Sequence, residues 1–600
     1  MAKRFLSRRS NQRRQHLRAG LQALESRQML ASDFSLQLLH ASDLEGGVSA
    51  ISDAPHFAAI VDTLETEAAN DGRGSLLVSA GDNFIGGPFF SASGDGSLRT
   101  PLQEAYQGLL GEPGLNNIRE DGGRVDISIM NLLEFDASAL GNHEFDFGTD
   151  TLGGLIGTDI RGNTPGDVRW LGAQFPSLSA NLDFSGDPSL AGLFTADVLP
   201  TTDYQADLGD LAATAAAPKI APATIAEVNG ESVAIVGATT QLLSQISSPG
   251  ATVSNAGGTN DMQALADVLN PIIADIADGD DDIAGNADDV NKVILVSHLQ
   301  QISLEEELAG LLNGVDIIVA GGSDTLLADA QDTLRAGDVA EGTYPLQTTN
   351  ADNDPTLIVS TDGEYSYVGR LVVDFDANGV VIPLMLDASV SGVFSTDEAG
   401  TLAVTGAADI ATAIADSTKA TEVNKLVQAV RGVVTAKDGE IFGATDVFLE
   451  GRRAEVRTQA TNLGNLTADA NLVAARQFDS TVAVSIKNGG GIRAAIGAID
   501  GLTGEELPTA ANPDAGKESG EISQLDIENA LRFDNGLTVM TVTAIELKRL
   551  IEHGVAATDA AGNATPGQFP QIGGAKFSFD PNEPALVLEA SANVVQEGQR

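Results

Sequence analysis

The chain has 600 residues and no cysteine, so no disulfide, zinc–thiolate site or thiol nucleophile is available. Its formal charge is −50, with 84 Asp+Glu against 34 Lys+Arg, and so acidic a surface repels nucleic-acid backbones and anionic membranes. No nucleic-acid polymer is expected as a partner. No stretch approaches the roughly 20 apolar residues of a membrane-spanning helix. The length exceeds one core, so two or three domains are expected.

Residues 1–31 differ from the rest. Lys3, Arg4, Arg8, Arg9, Arg13, Arg14, Arg18 and Arg27 stand there against one acid, Glu25, which reads as a targeting segment to be set apart from the fold. Its end, LESRQML-A, resembles the N-terminal sorting segment of exported proteins. Export is the expectation, and a basic disordered tail the alternative.

From Phe34 onward, short apolar runs each end in Asp, Asn, His or Gly: LQLLHASD (36–43), SLLVSAGD (75–82), DASALGNHE (136–144), KVILVSHL (292–299) and VDIIVAGGSD (315–324). Such runs are buried strands, and polar residues directly after them gather along one sheet edge, where open α/β sheets place ligands. Helical periodicity falls at 54–68 and 261–277. Strands are expected at 364–376 and 380–387. Residues 32–390 thus form an α/β or mixed β-sandwich domain with helices outside, 391–440 a linker and connecting helix, and 441–600 a second α/β domain. The acidic loop 277–289 alternates Asp278, Asp280 and Asp282 but has Ile283 where a calcium loop needs glycine. It reads as a solvated loop, with weak calcium binding as the alternative.

The strand-end motifs come in a particular order: Asp43-x-Glu45, GDNF with Asp82, GNHEFD with Asn142, His143 and Asp146, SH with His298, and GGSDT with Ser323, Asp324 and Thr325. This set resembles the calcineurin-like metallophosphoesterase domain of the 5′-nucleotidase and UDP-sugar hydrolase family over about residues 34 to 390. The resemblance implies two divalent ions that clamp a phosphate and generate a hydroxide for in-line attack. It implies Asp82 as the bridging carboxylate, Asp43 on the first ion, and Asn142 and His298 on the second. His143 matches the residue that stabilises charge on the phosphoryl oxygens, and Asp146 matches the acid that orients it.

Three positions depart from the family. Glu45, Ser323 and Thr325 stand where it has histidines, and this chain's six histidines (16, 40, 56, 143, 298 and 553) offer few replacements. Glu45 remains a competent oxygen ligand, and Asp324 becomes one if its loop shifts by a residue. An oxygen-rich set favours Mn, Mg or Ca over Zn. A centre of harder metals, a one-metal site and a metal-free site all stay open.

In the last 160 residues, GRRAEVRTQATNLGNLTADA (451–470), KNGGGIRAAI (487–496) and LRFDNGLTVMTVTAIELKRLIEHG (531–554) resemble the 5′-nucleotidase C-terminal domain. The resemblance makes Arg453, Arg457 and Arg493 substrate ligands, since forked guanidinium groups suit phosphate. Phe533 and Asn535 match its base-stacking aromatic and that residue's neighbour, while Asn488 and Gly490 shape a turn after which Arg493 follows a flexible GGG. Arg532 replaces a usual proline and Ala460 a usual acid. The family's second stacking Phe and GGDG segment are not found, so the sequence reads as part of a longer one. The function implied is an exported metal-dependent phosphoesterase acting on a nucleotide or nucleotide-sugar. The alternative is a non-catalytic nucleotide-binding or cell-surface protein with a degraded metal site.

Overall fold

A computed structural model describes residues 32–279, 290–499, 505–533, 535–559, 564, 566–588 and 594–600. The basic segment 1–31 and the Asp280 and Asp282 positions of the acidic loop lie outside these residues.

Two seven-stranded mixed sheets dominate. In the first, Phe34–Ala41 pairs parallel with Gly74–Ser79 and antiparallel with Tyr367–Phe375, and Gly74–Ser79 continues parallel to Ala137–Ala139. In the second, Val293–His298 lies parallel to both Glu231–Thr239 and Ile317–Gly321. Successive residues of a strand point to opposite faces, and burial follows that alternation. Leu36, Leu38, Leu76 and Val78 meet Val233, Ile235, Ile294, Val296, Ile317 and Val319 in a core between the sheets. Leu39 and Leu77 turn outward against helices, as Leu295 and Ile318 do on the second sheet. The result is a four-layer α/β sandwich, with both faces of each sheet buried.

The helices at Ala50–Asn70 and Met262–Asp278 cover the 54–68 and 261–277 periodicities. Residues 380–387 do not form a strand. Only Val381 bridges to Phe375, and Pro383–Met385 is a 3-10 turn, because proline has no N–H for a ladder and its fixed φ suits a turn. The edge of the first sheet is instead Gly392–Ser395, paired with Tyr367–Arg370.

The helix Thr418–Asp438 joins the sandwich to the C-terminal part. Ala420, Val423, Leu426, Val427, Val430 and Val434 recur at helical spacing and are buried in the helix-side core. Ser417 caps its start by accepting from the Ala420 amide at 3.0 Å, and donates its own hydroxyl to Asp62 at 2.6 Å. At its far end, Lys437 pairs with Glu528 at 2.7 Å and Asp438 with Lys517 at 2.8 Å. One rigid element thus contacts both parts, and packing of its apolar stripe fixes their relation. Leu426 is fully buried, so Leu426→Ala is expected to cost about 2–5 kcal/mol, read as a lowered urea midpoint.

Candidate metal centre

The strand ends of both sheets converge at one cleft. Asp43 and Glu45 follow the first strand, Asp82 the second, Asn142 and His143 the third, and His298 closes its own strand. Asp43, Asp82 and His298 bring ligand atoms within 4.8 Å of one another, and so do Glu45, Asp82 and His143. Asp82 belongs to both groups, and all of these except His143 are buried.

The backbone pays locally for this convergence. Asp43, Glu45, Asp82 and Asp324 have φ of 27°, 37°, 47° and 52°, a region that costs L-residues roughly 1–2 kcal/mol each. Hydrogen bonds hold the turns. The Gly322 amide donates to both oxygens of Asp43 at 2.8 and 2.9 Å, the Glu45 amide to the Asp82 carbonyl at 2.8 Å, and the His143 amide to Asp82 Oδ1 at 2.7 Å. Gly141 must be glycine, since a Cβ there would stand 2.2 Å from Asp82 Oδ1.

Each imidazole is fixed from behind. His298 Nδ1 donates to the Ala80 carbonyl at 2.9 Å, leaving Nε2 at 3.0 Å from Asp82 and 3.3 Å from Asn142 Oδ1. His143 Nδ1 donates to Asp146 Oδ2 at 2.5 Å, and Ser247 donates to the other Asp146 oxygen at 2.8 Å. His143 Nε2 stands 3.3 Å from Glu45. Burial alone would lower both histidines, but the Asp82 charge and carboxylate contacts outweigh it and raise His143 to about 9 and His298 to about 10. Burial would raise Asp82, yet His298 and His143 hold it down at about 2. Burial raises Asp43 and Glu45. Three buried carboxylates against two imidazoles form an environment that a divalent cation would stabilise. The oxygen-rich donors, with Asn142 beside them, fit a hard metal.

The remaining candidates lie beside this centre. Asp324 stands outside both groups and forms an ion pair with Arg453. Ser323 Oγ donates to Thr325 Oγ1 at 2.9 Å. Arg453, Arg457 and Arg493 line a cavity of about 250 Å³ with Glu45 and Asp324, and Arg493 reaches Glu45 at 3.5 Å. Arg457 is buried with an unpartnered Nε. Burial, with repulsion from Arg453 and Arg493, lowers it to about 9. Phe533 stacks on His143, 6.0 Å between ring centroids and 11° between planes. Asn488 and Asn535 line a larger cavity of about 820 Å³ with Phe533. The GGG segment is a 3-10 turn rather than a flexible hinge. The Gly489 and Gly490 amides donate to Phe569 and Gly567 carbonyls, both at 2.7 Å, and a Cβ on Gly489 would meet the Val456 carbonyl at 2.2 Å. Close approach requires these glycines.

Glu144 is a site residue that the motif reading misses. Its carboxylate accepts from the amides of Asp82 (3.0 Å), Asn83 (2.8 Å) and Gly141 (2.7 Å) and from Asn83 Nδ2 (3.1 Å), stapling the Asp82 loop to the His143 loop. Burial and the Asp82 charge raise it to about 7. The first acid of GNHEFD, directly after His143, is the available signal.

Residues 439–600 match the family model of the 5′-nucleotidase C-terminal domain. The trifunctional nucleotide phosphoesterase protein of Bacillus subtilis is 27% identical over 461 residues, 77% of this chain and 25% of that protein. Mouse 5′-nucleotidase is 25% identical over 571 residues, 93% of this chain and 74% of that protein. The crystal structure of a 5′-nucleotidase precursor from Thermus thermophilus shares the fold, with TM-score 0.57 and 24% identity, covering 94% of this chain and 84% of that one. The chain therefore spans a quarter of the length of the first of these relatives. The protein is an α/β sandwich with carboxylates and imidazoles gathered at its strand ends and an arginine-bearing C-terminal part. Its C-terminal part carries a 5′-nucleotidase C-terminal domain, and the chain as a whole is similar to 5′-nucleotidases and nucleotide phosphoesterases.

Glu144→Gln would turn an amide N–H₂ toward backbone N–H donors. It is expected to lower metal affinity by roughly 10–100-fold and to reduce stability, read by isothermal titration with Mn²⁺ and by thermal unfolding. Unchanged values would remove Glu144 from the site.

Proposed function

We propose that this protein is an exported, metal-dependent phosphoesterase that hydrolyses nucleotide phosphate esters. The observation that carries the reading is the Asp82 carboxylate, shared by two potential metal-holding groups with His143 beside it. Asp43, Asp82, Asn142 and, with its Nε2 proton displaced, His298 would hold one divalent ion, and Glu45 with Asp82 a second, whereas the resemblance divides Asp43 from Asn142 and His298. When bound, such ions polarise a phosphoryl group and lower the pKa of water.

The chain's own residues supply the rest. His143, oriented by Asp146, presents a cationic Nε2 to the phosphoryl oxygens as charge develops. Arg453, Arg457 and Arg493 bind the phosphate as forked donors. Phe533 offers a ring face to the base, and Asn488, Gly490 and Asn535 shape the pocket around it. In this reading residues 1–31 direct export, 32–390 with the edge strand Gly392–Ser395 form the phosphoesterase domain, the rest of 391–440 connects, and 441–600 bind substrate. Among the described residues no helix is long and apolar enough to cross a membrane.

A second reading, a nucleotide-binding protein without catalysis, draws on one observation. Ser323 and Thr325 hydrogen-bond each other, and Asp324 is taken by Arg453, so this loop lends little to a metal.

With Mn²⁺, Mg²⁺, Ca²⁺ or Co²⁺ added, purified protein is expected to release phosphate from AMP, or to cleave UDP-glucose or bis-p-nitrophenyl phosphate. EDTA abolishes the activity, and Asp82→Ala and His143→Ala each lower kcat by about 100-fold or more. If none of these metals supports turnover of any of the three, the binding reading replaces the enzyme.

A further inference from the structure

Arg532 sits at the junction of two cavities. One, about 250 Å³, holds Arg453, Arg457 and Arg493 beside Glu45. The other, about 820 Å³, holds Phe147, Phe533 and Lys487. Among the described residues, Arg532 alone lines both. The first cavity borders the Asp82–His143 centre, and the second offers aromatic faces. Arg532 therefore stands on the wall shared by the space beside the centre, where a phosphoryl group would lie, and the space that offers a ring its aromatic faces.

The side chain is built for a fixed position. It is 7% exposed, its Nε donates to the Asn529 carbonyl at 3.3 Å, and its Nη2 donates to Asn529 Oδ1 at 3.0 Å. Its aliphatic stem lies over Gly87, where an added Cβ would come within 3.4 Å of Arg532 Cγ and Cδ. The remaining nitrogen, Nη1, stands 3.7 Å from Glu364 Oε1, beyond hydrogen-bond distance, and that glutamate side chain is 44% exposed. So weak a counter-ion is notable in a chain of net charge −50. Lys487, on the wall of the larger cavity, has no ion pair among the described residues, and burial lowers its pKa. The cationic track thus continues from the arginine cavity past Arg532 into the aromatic one, further than a single phosphoryl group requires.

We propose that Arg532 is a specificity residue that binds a second phosphoryl group, lying between the phosphoryl group that is released to water and the nucleoside. It thereby favours nucleoside diphosphates over monophosphates. This rests on the phosphoesterase reading above for its turnover arm and on the geometry alone for its binding arm.

The test compares wild type with Arg532→Ala and with Arg532→Gln, which keeps much of the length and a donor for Asn529 while removing the charge. Two ratios are read: kcat/KM for ADP over that for AMP, and the affinity of the metal-free protein for inorganic pyrophosphate over inorganic phosphate by isothermal titration calorimetry. Both ratios are expected to fall roughly ten- to a hundredfold, the range for a lost hydrogen bond to a charged group. If ADP and AMP, or pyrophosphate and phosphate, lose equally, Arg532 is structural and the proposal is overturned. Unchanged ratios overturn it as well. If the alanine variant fails to fold, the glutamine variant decides by the same ratios. Should wild type hydrolyse neither nucleotide, the pyrophosphate ratio alone decides the role of Arg532, and the phosphoesterase reading is decided separately by UDP-glucose and bis-p-nitrophenyl phosphate.

Discussion

The Asp82 carboxylate is the contact on which the site depends. It lies in the cleft where loops from both sheets meet, accepts the His143 amide through Oδ1, and faces His298 Nε2 through Oδ2. Burying a carboxylate costs several kcal/mol unless charge and hydrogen bonds compensate. Here the two imidazoles compensate it, and its pKa falls to about 2 despite burial. For Asp43 and Glu45 burial outweighs the lowering by His298 on the first and by His143 and Arg493 on the second, and both are raised. The centre is therefore uneven, with one well-satisfied anion flanked by two strained ones. That imbalance, in a chain already at −50, marks the cleft as a candidate cation site.

The C-terminal part meets the imbalance with arginines. Arg493 approaches Glu45, and Arg453 pairs with Asp324, so the same acids that could bind metal also tie the two parts of the chain together. The helix Thr418–Asp438 sets the distance across which they do so, because its two ends are held by ion pairs and hydrogen bonds on opposite sides. With Glu45, Ser323 and Thr325 at three positions where the resemblance implies histidine, two groups that could hold a metal still form around Asp82. The candidate donors are mostly carboxylate oxygens, and arginines approach two of those acids, Glu45 and Asp324.

Much of this can be read in the sequence, for physical reasons. Buried strands such as Phe34–Ala41 and Val293–His298 declare themselves as apolar runs, and a polar residue directly after each lies at a sheet edge wherever the strand pairs. Asp43, Asp82, Asn142 and His298 converge for that reason. Residues 380–387 mislead because apolar content suggests a strand while Pro383 enforces a turn. Glu144 escapes a motif reading because its task, accepting amides from residues 82, 83 and 141, depends on two loops folding together. Arg532 is a bare departure from a family pattern until the two parts of the chain stand side by side. Gly489 and Gly490 suggest freedom, whereas the fold uses them for close contact.

The account is tested most directly by crystals of the protein soaked in MnCl₂ and measured at the manganese absorption edge. It predicts an anomalous peak coordinated by Asp82 together with Asp43 and His298, with Arg493 withdrawn from Glu45 if a second ion binds there. An Asp82 carboxylate with no anomalous peak beside it, at Mn²⁺ concentrations that saturate any activity, would contradict it.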